Sequence, residues 1–296
     1  MSLLKTVSKG IIKKPHYILM HGLPGLGKSS FAAGSLDPIY LCAEKGTNHL
    51  DVSRLELNDF DGFLKAIAEL RDTKHDYKTV VIDTIDHVEP LIFKEVCKDK
   101  SKNTIEDIGY AKGYEFALDY WSKLINGLEE LRENGMNIIL LAHTFVKTFN
   151  DPQLAEGYDR YQVKLHHKAS SLIIDRVECV LFANYETFLK TGDNEKTKAF
   201  GDGARVIYTE HRPAAVAKNR FNLPYKLPLD WEAFATACDT EKSSDPKDLQ
   251  ENIQSLLSEL KNEDVKKKVQ EHLKKIGNDA KELAAVENKL KTMVAA

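Results

Sequence analysis

The run Gly22-Leu23-Pro24-Gly25-Leu26-Gly27-Lys28-Ser29 has the residue types and spacing of a loop that wraps a polyphosphate. Its glycines let successive backbone N–H groups turn inward around an anion. Lys28 supplies a cation for the β- and γ-phosphates, and the Ser29 hydroxyl supplies a ligand for Mg²⁺. The flanks suit the motif: Tyr17-Ile18-Leu19-Met20 reads as a short buried strand, and Ser30-Phe31-Ala32-Ala33 as the first turn of a helix. A helix opening at that point adds unpaired N–H donors and a positive dipole end. The expected ligands are ATP and Mg²⁺, with residues 22–30, Ser30 included, as the nucleotide cradle.

Three further residues complete a phosphate site. In Lys78-Thr79-Val80-Val81-Ile82-Asp83-Thr84, an apolar strand ends in Asp83, which places a carboxylate beside a metal held at the glycine loop. Asp86 is the second choice for that role. Glu44 follows the apolar run Ile39-Tyr40-Leu41-Cys42 and is the candidate to orient or activate a water. A surface ion pair with a lysine is the alternative reading. His143 follows Ile138-Ile139-Leu140-Leu141 and is the candidate sensor of the γ-phosphate. Its alternative is an imidazole satisfied by a backbone carbonyl.

These residues share one edge only if the strands bearing them are parallel, because ligands bind at the carboxyl ends of parallel strands. The chain supports that arrangement. Short apolar runs alternate with helical spacing as far as Ala237: helices over Phe60–Leu70 and Ala111–Arg132 (Phe116, Tyr120, Leu124 and Leu128 on one face), and a fifth strand over Val177–Phe182. Arg205–Tyr208 and Ala214–Ala217 read as later, antiparallel strands. The expected fold is α/β, with a largely parallel sheet over 1–239, a polar linker over 240–247, and a helical appendage over 248–296. The appendage carries three apolar stripes, beginning at Leu249, Val265 and Leu283. Its lysine runs read as a solvated face, since acids balance them. The net charge of −3 carries no global basic field for nucleic acid, so any such contact is local. No apolar run reaches the roughly 20 residues of a membrane span. The start of the chain does not read as a signal peptide. Cys42, Cys97, Cys179 and Cys238 lie far apart with no C-x-x-C pair, which argues against zinc and redox motifs and for a reducing, cytoplasmic setting.

The order of glycine loop, strand ending in Ala43-Glu44, strand Val80-Val81-Ile82-Asp83-Thr84, long helix and strand ending in a polar sensor resembles the RecA-type recombinase core. Within that family it resembles the minimal RecA-core ATPases of bacteriophages that act as single-strand annealing proteins, in the glycine loop, Ile82-Asp83-Thr84-Ile85-Asp86 and Gly109-Tyr110-Ala111-Lys112-Gly113. The resemblance spans roughly 15–235 and leaves out the appendage. It implies a RecA-like P-loop fold with Lys28 and Ser29 as the nucleotide pair, Asp83 at the magnesium, Glu44 activating the attacking water, and His143 where bacterial recombinases carry Gln as a phosphate switch. It also implies that Lys218 and Arg220, in Lys218-Asn219-Arg220, reach a neighbouring protomer's ATP site. DNA contacts would come from two loops, 98–112 and 145–168, the second carrying Lys147, Arg160, Lys164 and Lys168 among aromatics. The implied function is Mg-dependent ATP hydrolysis at interfaces of a filament or ring on single-stranded DNA. That setting would be phage recombination or annealing in the host cytoplasm, with a single-strand-binding or replication protein as a further partner. The alternative is a helicase-loader or motor ATPase that remodels a protein, with the helical appendage as its partner module.

Overall fold

The computed structural model describes residues 7–10, 12–186, 188–191, 197–200, 203–239, 246–259 and 263–294. Strand β1 (Tyr17–Gly22) is buried at every position, which its unbroken apolar run Tyr17–Met20 dictates for a central strand covered on both faces. It feeds the glycine loop and then helix α1 (Lys28–Ala33). β2 (Pro38–Cys42), β3 (Ser53–Glu56), α2 (Phe60–Asp72) and β4 (Thr79–Asp83) follow. Asp59 caps α2 by accepting from the Gly62 N–H at 2.7 Å. Next come α3 (Ile85–Asp99), α4 (Lys112–Glu133), β5 (Asn137–Phe149), β6 (Tyr158–Val163), α5 (His167–Arg176) and β7 (Cys179–Tyr185). Among the described residues, the strands β8 (Phe188–Thr191) and β9 (Thr197–Phe200) form a separate two-stranded sheet. The remaining elements of this part are β10 (Arg205–Tyr208), β11 (Lys218–Asn219), β12 (Lys226–Pro228) and α6 (Trp231–Asp239).

The main sheet runs β12-β10-β7-β1-β5-β4-β2-β3, with β11 beside β7 and β6 beside β5. From β7 to β3 every pair along this path is parallel. β5 lies between the glycine-loop strand and the strand that ends in Asp83. This is a RecA-like P-loop α/β fold, as the sequence resemblance implied. β10 joins β7 antiparallel, which matches the expectation for Arg205–Tyr208. One core packs α2, α3 and α4 against the sheet, with Phe60, Phe63, Val88, Ile92, Trp121 and Leu128 among its buried members. On α4, Leu124 and Leu128 are buried as expected, whereas Phe116 and Tyr120 are only partly covered.

Several sequence expectations are corrected. The segment 145–168 is not a loop. β5 overruns the sheet to Phe149 and folds back antiparallel as β6, with Lys147 opposite Arg160, and α5 begins at His167. The segment 98–112 is also partly helical. It starts in the last turn of α3 and contains a 3₁₀ turn over Glu106–Ile108. Ala214–Ala217 is no strand: Ala215 makes only isolated bridges, to Tyr161 and Arg212, and the paired segment is the adjoining Lys218–Asn219.

The chain divides into two compact units, Met1–Phe234 and Ala235–Ala296. In the second unit, α7 (Pro246–Glu259), α8 (Glu263–Ile276) and α9 (Ala280–Val294) follow. Leu249, Ile253 and Leu257 bury against Leu283, Val286 and Leu290. Residues 240–245 of the expected linker lie outside the described residues, and Pro246 is the first residue of α7. Among the described residues no helix is long and apolar enough to cross a membrane.

Candidate nucleotide site

The parallel register brings the sequence-selected residues to one edge. Gly22 pairs with His143 across β1 and β5, and Asp83 pairs with Leu141, two residues before His143. The loop needs its glycines for distinct reasons. Gly25 and Gly27 have φ of +72° and +107°, which L side chains rarely adopt. At Gly22, a Cβ would come 2.5 Å from the Ala183 carbonyl oxygen. Leu26 is fully buried and anchors the loop from beneath, whereas Leu23, Pro24, Gly25 and Ser30 are exposed.

Lys28 is buried, and its Nζ donates to the carbonyls of Gly22 (3.1 Å) and Leu23 (3.0 Å). Burial lowers its pKa, opposed by the attraction of Asp83, Asp86 and Glu44. The Ser29 hydroxyl donates to Asp83 Oδ2 at 2.6 Å. Asp83 is 4% exposed, and burial raises its pKa even though Ser29 and Lys28 pull it down. Two hard oxygens held together beside a buried cation fit a magnesium ion: Ser29 and Asp83 would hold it, and it would help neutralise the phosphate charge that Lys28 faces.

Glu44 lies two residues beyond β2 and takes a hydrogen bond from Thr84 Oγ1 at 3.3 Å. Its other oxygen is 3.5 Å from His87 Nδ1. No lysine claims it at short range among the described residues. Among the described residues its nearest ion-pair partner is the His87 imidazole. His143 is held by Asp86: the His143 backbone N–H donates to Oδ1 and its Nδ1 meets Oδ2, each at 2.9 Å. Burial alone would raise the Asp86 carboxyl, but these two bonds outweigh it and bring it down to about 2. Asp86 therefore serves His143, and the carboxylate that touches Ser29 is that of Asp83.

Gly25, Gly27, Lys28, Ser29, Glu44, Asp83, His143 and Arg205 line one cavity of about 300 Å³. Arg205 escaped the sequence reading. It opens β10, and an antiparallel strand begins at the edge where parallel strands end, so its guanidinium comes within 3.2 Å of where a Cβ on Gly27 would stand. His87 also escaped it, although it stands one residue after Asp86 in the first turn of α3.

The other expected residues separate. Lys218 does not extend outward. Its Nζ donates to the carbonyls of Ile174 (2.6 Å), Asp175 (3.1 Å) and Val177 (2.8 Å), capping the end of α5, and burial lowers its pKa. Arg220, two residues on, is exposed. Of the four cations in 147–168, Lys147 and Lys164 are exposed, and Lys164 Nζ lies 3.9 Å from Asp86 Oδ2. Lys168 pairs with Glu115 at 2.9 Å. Arg160 is 6% exposed, lies over the Phe149 ring at 4.9 Å and contacts His211, so it braces the hairpin rather than facing solvent.

A glycine loop, a strand-end Asp at its serine and a carboxylate facing both across a cleft make this protein a P-loop ATPase with a RecA-like core. The chain belongs to the AAA domain family, whose model matches residues 14–221. No curated protein matches it. Two solved structures are similar. One is a KaiC-like protein from the hyperthermophilic archaeon Pyrococcus horikoshii, at 15% identity and TM-score 0.35, covering 66% of this chain and 78% of that one. The other is a DnaB-like replicative helicase described with its primase interactions, at 11% identity and TM-score 0.41, covering 73% of this chain and 57% of that one.

Proposed function

We propose that the protein is an ATP-dependent single-stranded-DNA-binding protein of the RecA-like type, acting in phage recombination or annealing and hydrolysing ATP at protomer interfaces. The observation that supports this is the continuity of β5. The strand that presents His143 to the cleft runs on unbroken to Phe149, so one rigid element links the nucleotide edge to an arm bearing exposed Phe145, Val146 and Lys147. Aromatic and cationic side chains together suit stacked bases and phosphates.

In this reading the loop N–H groups and Lys28 hold the phosphates, and Ser29 and Asp83 hold Mg²⁺. The bound metal supplies neutralisation of the charge that develops on the transferring phosphoryl group. Glu44 accepts a proton from the attacking water, with Thr84 fixing its carboxylate. His143, fixed by Asp86, carries the state of the site to the β5 arm. Arg220 is the exposed cation offered to a neighbour, and Lys218 fixes the backbone that presents it. The test is ATPase activity with and without single-stranded DNA across a salt series. Stimulation that fades steeply with salt supports the reading. A rate indifferent to DNA overturns it.

A second reading, a motor or loader that remodels a protein, draws support from the helical unit with its own core at Leu249, Ile253, Leu257, Leu283, Val286 and Leu290. Recovery of a specific replication protein on the immobilised full chain, lost on disrupting that unit, favours it.

A further inference from the structure

We propose that Glu44, His87 and His143 form a binding site for a borderline divalent transition ion of the zinc class, separate from the Ser29–Asp83 oxygen pair. Each residue offers one ligand atom, and the three atoms lie within 4.8 Å of one another. The donors are two imidazole nitrogens and a carboxylate oxygen, a set that suits zinc and its neighbours, whereas magnesium takes oxygen ligands and keeps its water. The cleft therefore holds two donor sets that differ in softness: hydroxyl and carboxylate oxygens at Ser29 and Asp83, imidazoles and a carboxylate across from them.

The cluster is already oriented. The imidazoles of His87 and His143 stand edge to face, 5.7 Å between centroids. Asp86 grips His143 by both backbone and ring, and a carboxylate behind a ligating histidine fixes its tautomer and raises its basicity. Thr84 Oγ1 reaches both His87 Nδ1 (2.8 Å) and Glu44 Oε1 (3.3 Å), which ties the remaining two ligands together. The His87 Nδ1 to Glu44 Oε2 separation of 3.5 Å is close to the edge of a tetrahedron built on zinc bonds of about 2.0–2.1 Å, so an ion taken at Nδ1 replaces the Thr84 contact there while Thr84 keeps its hold on Glu44. The side chains are 15–39% exposed, so an ion can enter from the cavity and keep a water as its fourth ligand. An ion here takes Glu44 as a ligand and so removes it from its role toward water. That consequence alone rests on the function proposed above, and the site itself does not.

The test is titration of nucleotide-free, full-length protein with Co²⁺ in excess Mg²⁺, read by visible absorption. One equivalent should give the intense bands of a low-coordinate nitrogen–oxygen site, displaced by Zn²⁺. His87→Ala and, independently, Glu44→Gln should abolish the bands, with circular dichroism confirming the fold. Asp86→Asn should weaken binding by about 10–100-fold. Lys28→Ala, which removes the phosphate cation, should leave the bands intact. Absence of the bands, or bands that survive His87→Ala, overturns the site. Zn²⁺ at one equivalent should also lower ATP turnover. Unchanged turnover with the bands present overturns the inhibitory consequence and counts against Glu44 as the base.

Discussion

Lys28 and Glu44 sit in one cleft with opposite environments, and this separates binding from chemistry. Lys28 is buried against two loop carbonyls, so its charge has been desolvated in advance and is available to an anion that enters the loop. Lys28→Ala should abolish ATP binding, measured by fluorescent-nucleotide titration. Glu44 is half-exposed and, among the described residues, held by Thr84 and His87. Glu44→Gln keeps shape and hydrogen bonding but cannot take a proton, so nucleotide binding should persist while kcat falls by about 10²–10⁴-fold. The loop and Asp83 were legible because their chemistry is written in contiguous residues. Glu44 and His143 were legible because each stands just after an apolar run. Arg205 and His87 were not. Arg205 reaches the cleft only because β10 runs against its neighbour, and His87 only because α3 begins where Asp83 ends. No local pattern encodes either fact.

Among the elements, the arm β5–β6 was the largest surprise. Phe145-Val146-Lys147-Thr148-Phe149 lacks the strict apolar–polar alternation of a half-buried strand, and the long segment between strand and helix hid the turn that reverses the chain. Helix α3 escaped notice because Pro90 sits inside it and forgoes the bond to the Asp86 carbonyl. The arm's cations should now divide. Lys147→Ala should weaken binding to single strands of any sequence and reduce the salt slope by about 1. Arg160→Ala should instead loosen the hairpin, seen as faster amide exchange over β6. At the start of α4, a Cβ on Gly113 would meet the Ile105 carbonyl oxygen at 2.5 Å. Gly113→Ala should therefore cost about 1–3 kcal/mol in denaturant unfolding, which gives a physical reason for that glycine in Gly109–Gly113. The α3–α5 junction carries a pH dependence. Both Glu89 carboxylate oxygens accept the His166 backbone N–H at 3.0 Å, yet burial pushes the Glu89 carboxyl up to about 7. Its folded pKa lies above the ordinary 4.5, so it contributes stability that is present below about pH 4.5 and lost once pH passes about 7. Over that window Glu89→Gln should lose less stability than the wild type, measured by thermal unfolding against pH.

At the scale of the molecule, the cleft supplies Lys28 and Arg205 from within the chain, and the reading of a shared site turns on what a second copy adds. The sequence resemblance assigned Lys218 and Arg220 to that task as a pair. The structure separates them. Lys218 spends its three donors on the carbonyls of Ile174, Asp175 and Val177 at the C-terminal end of α5, so its removal uncaps a helix, whereas Arg220 is exposed just past the short strand that Lys218 opens. Their substitutions should diverge in a way that tests assembly directly. Lys218→Ala should lower the melting temperature, with turnover falling in proportion to folded protein. Arg220→Ala should melt as the wild type does. Its specific ATPase rate should stay flat as protein concentration rises, while the wild-type rate climbs with concentration and climbs further on single-stranded DNA. A guanidinium that completes a neighbour's site acts on charge in the transition state, so the loss should fall on kcat and spare nucleotide affinity. A wild-type specific rate independent of concentration, or an Arg220→Ala curve that follows it, would leave each protomer with a self-sufficient site and remove the interface from the mechanism.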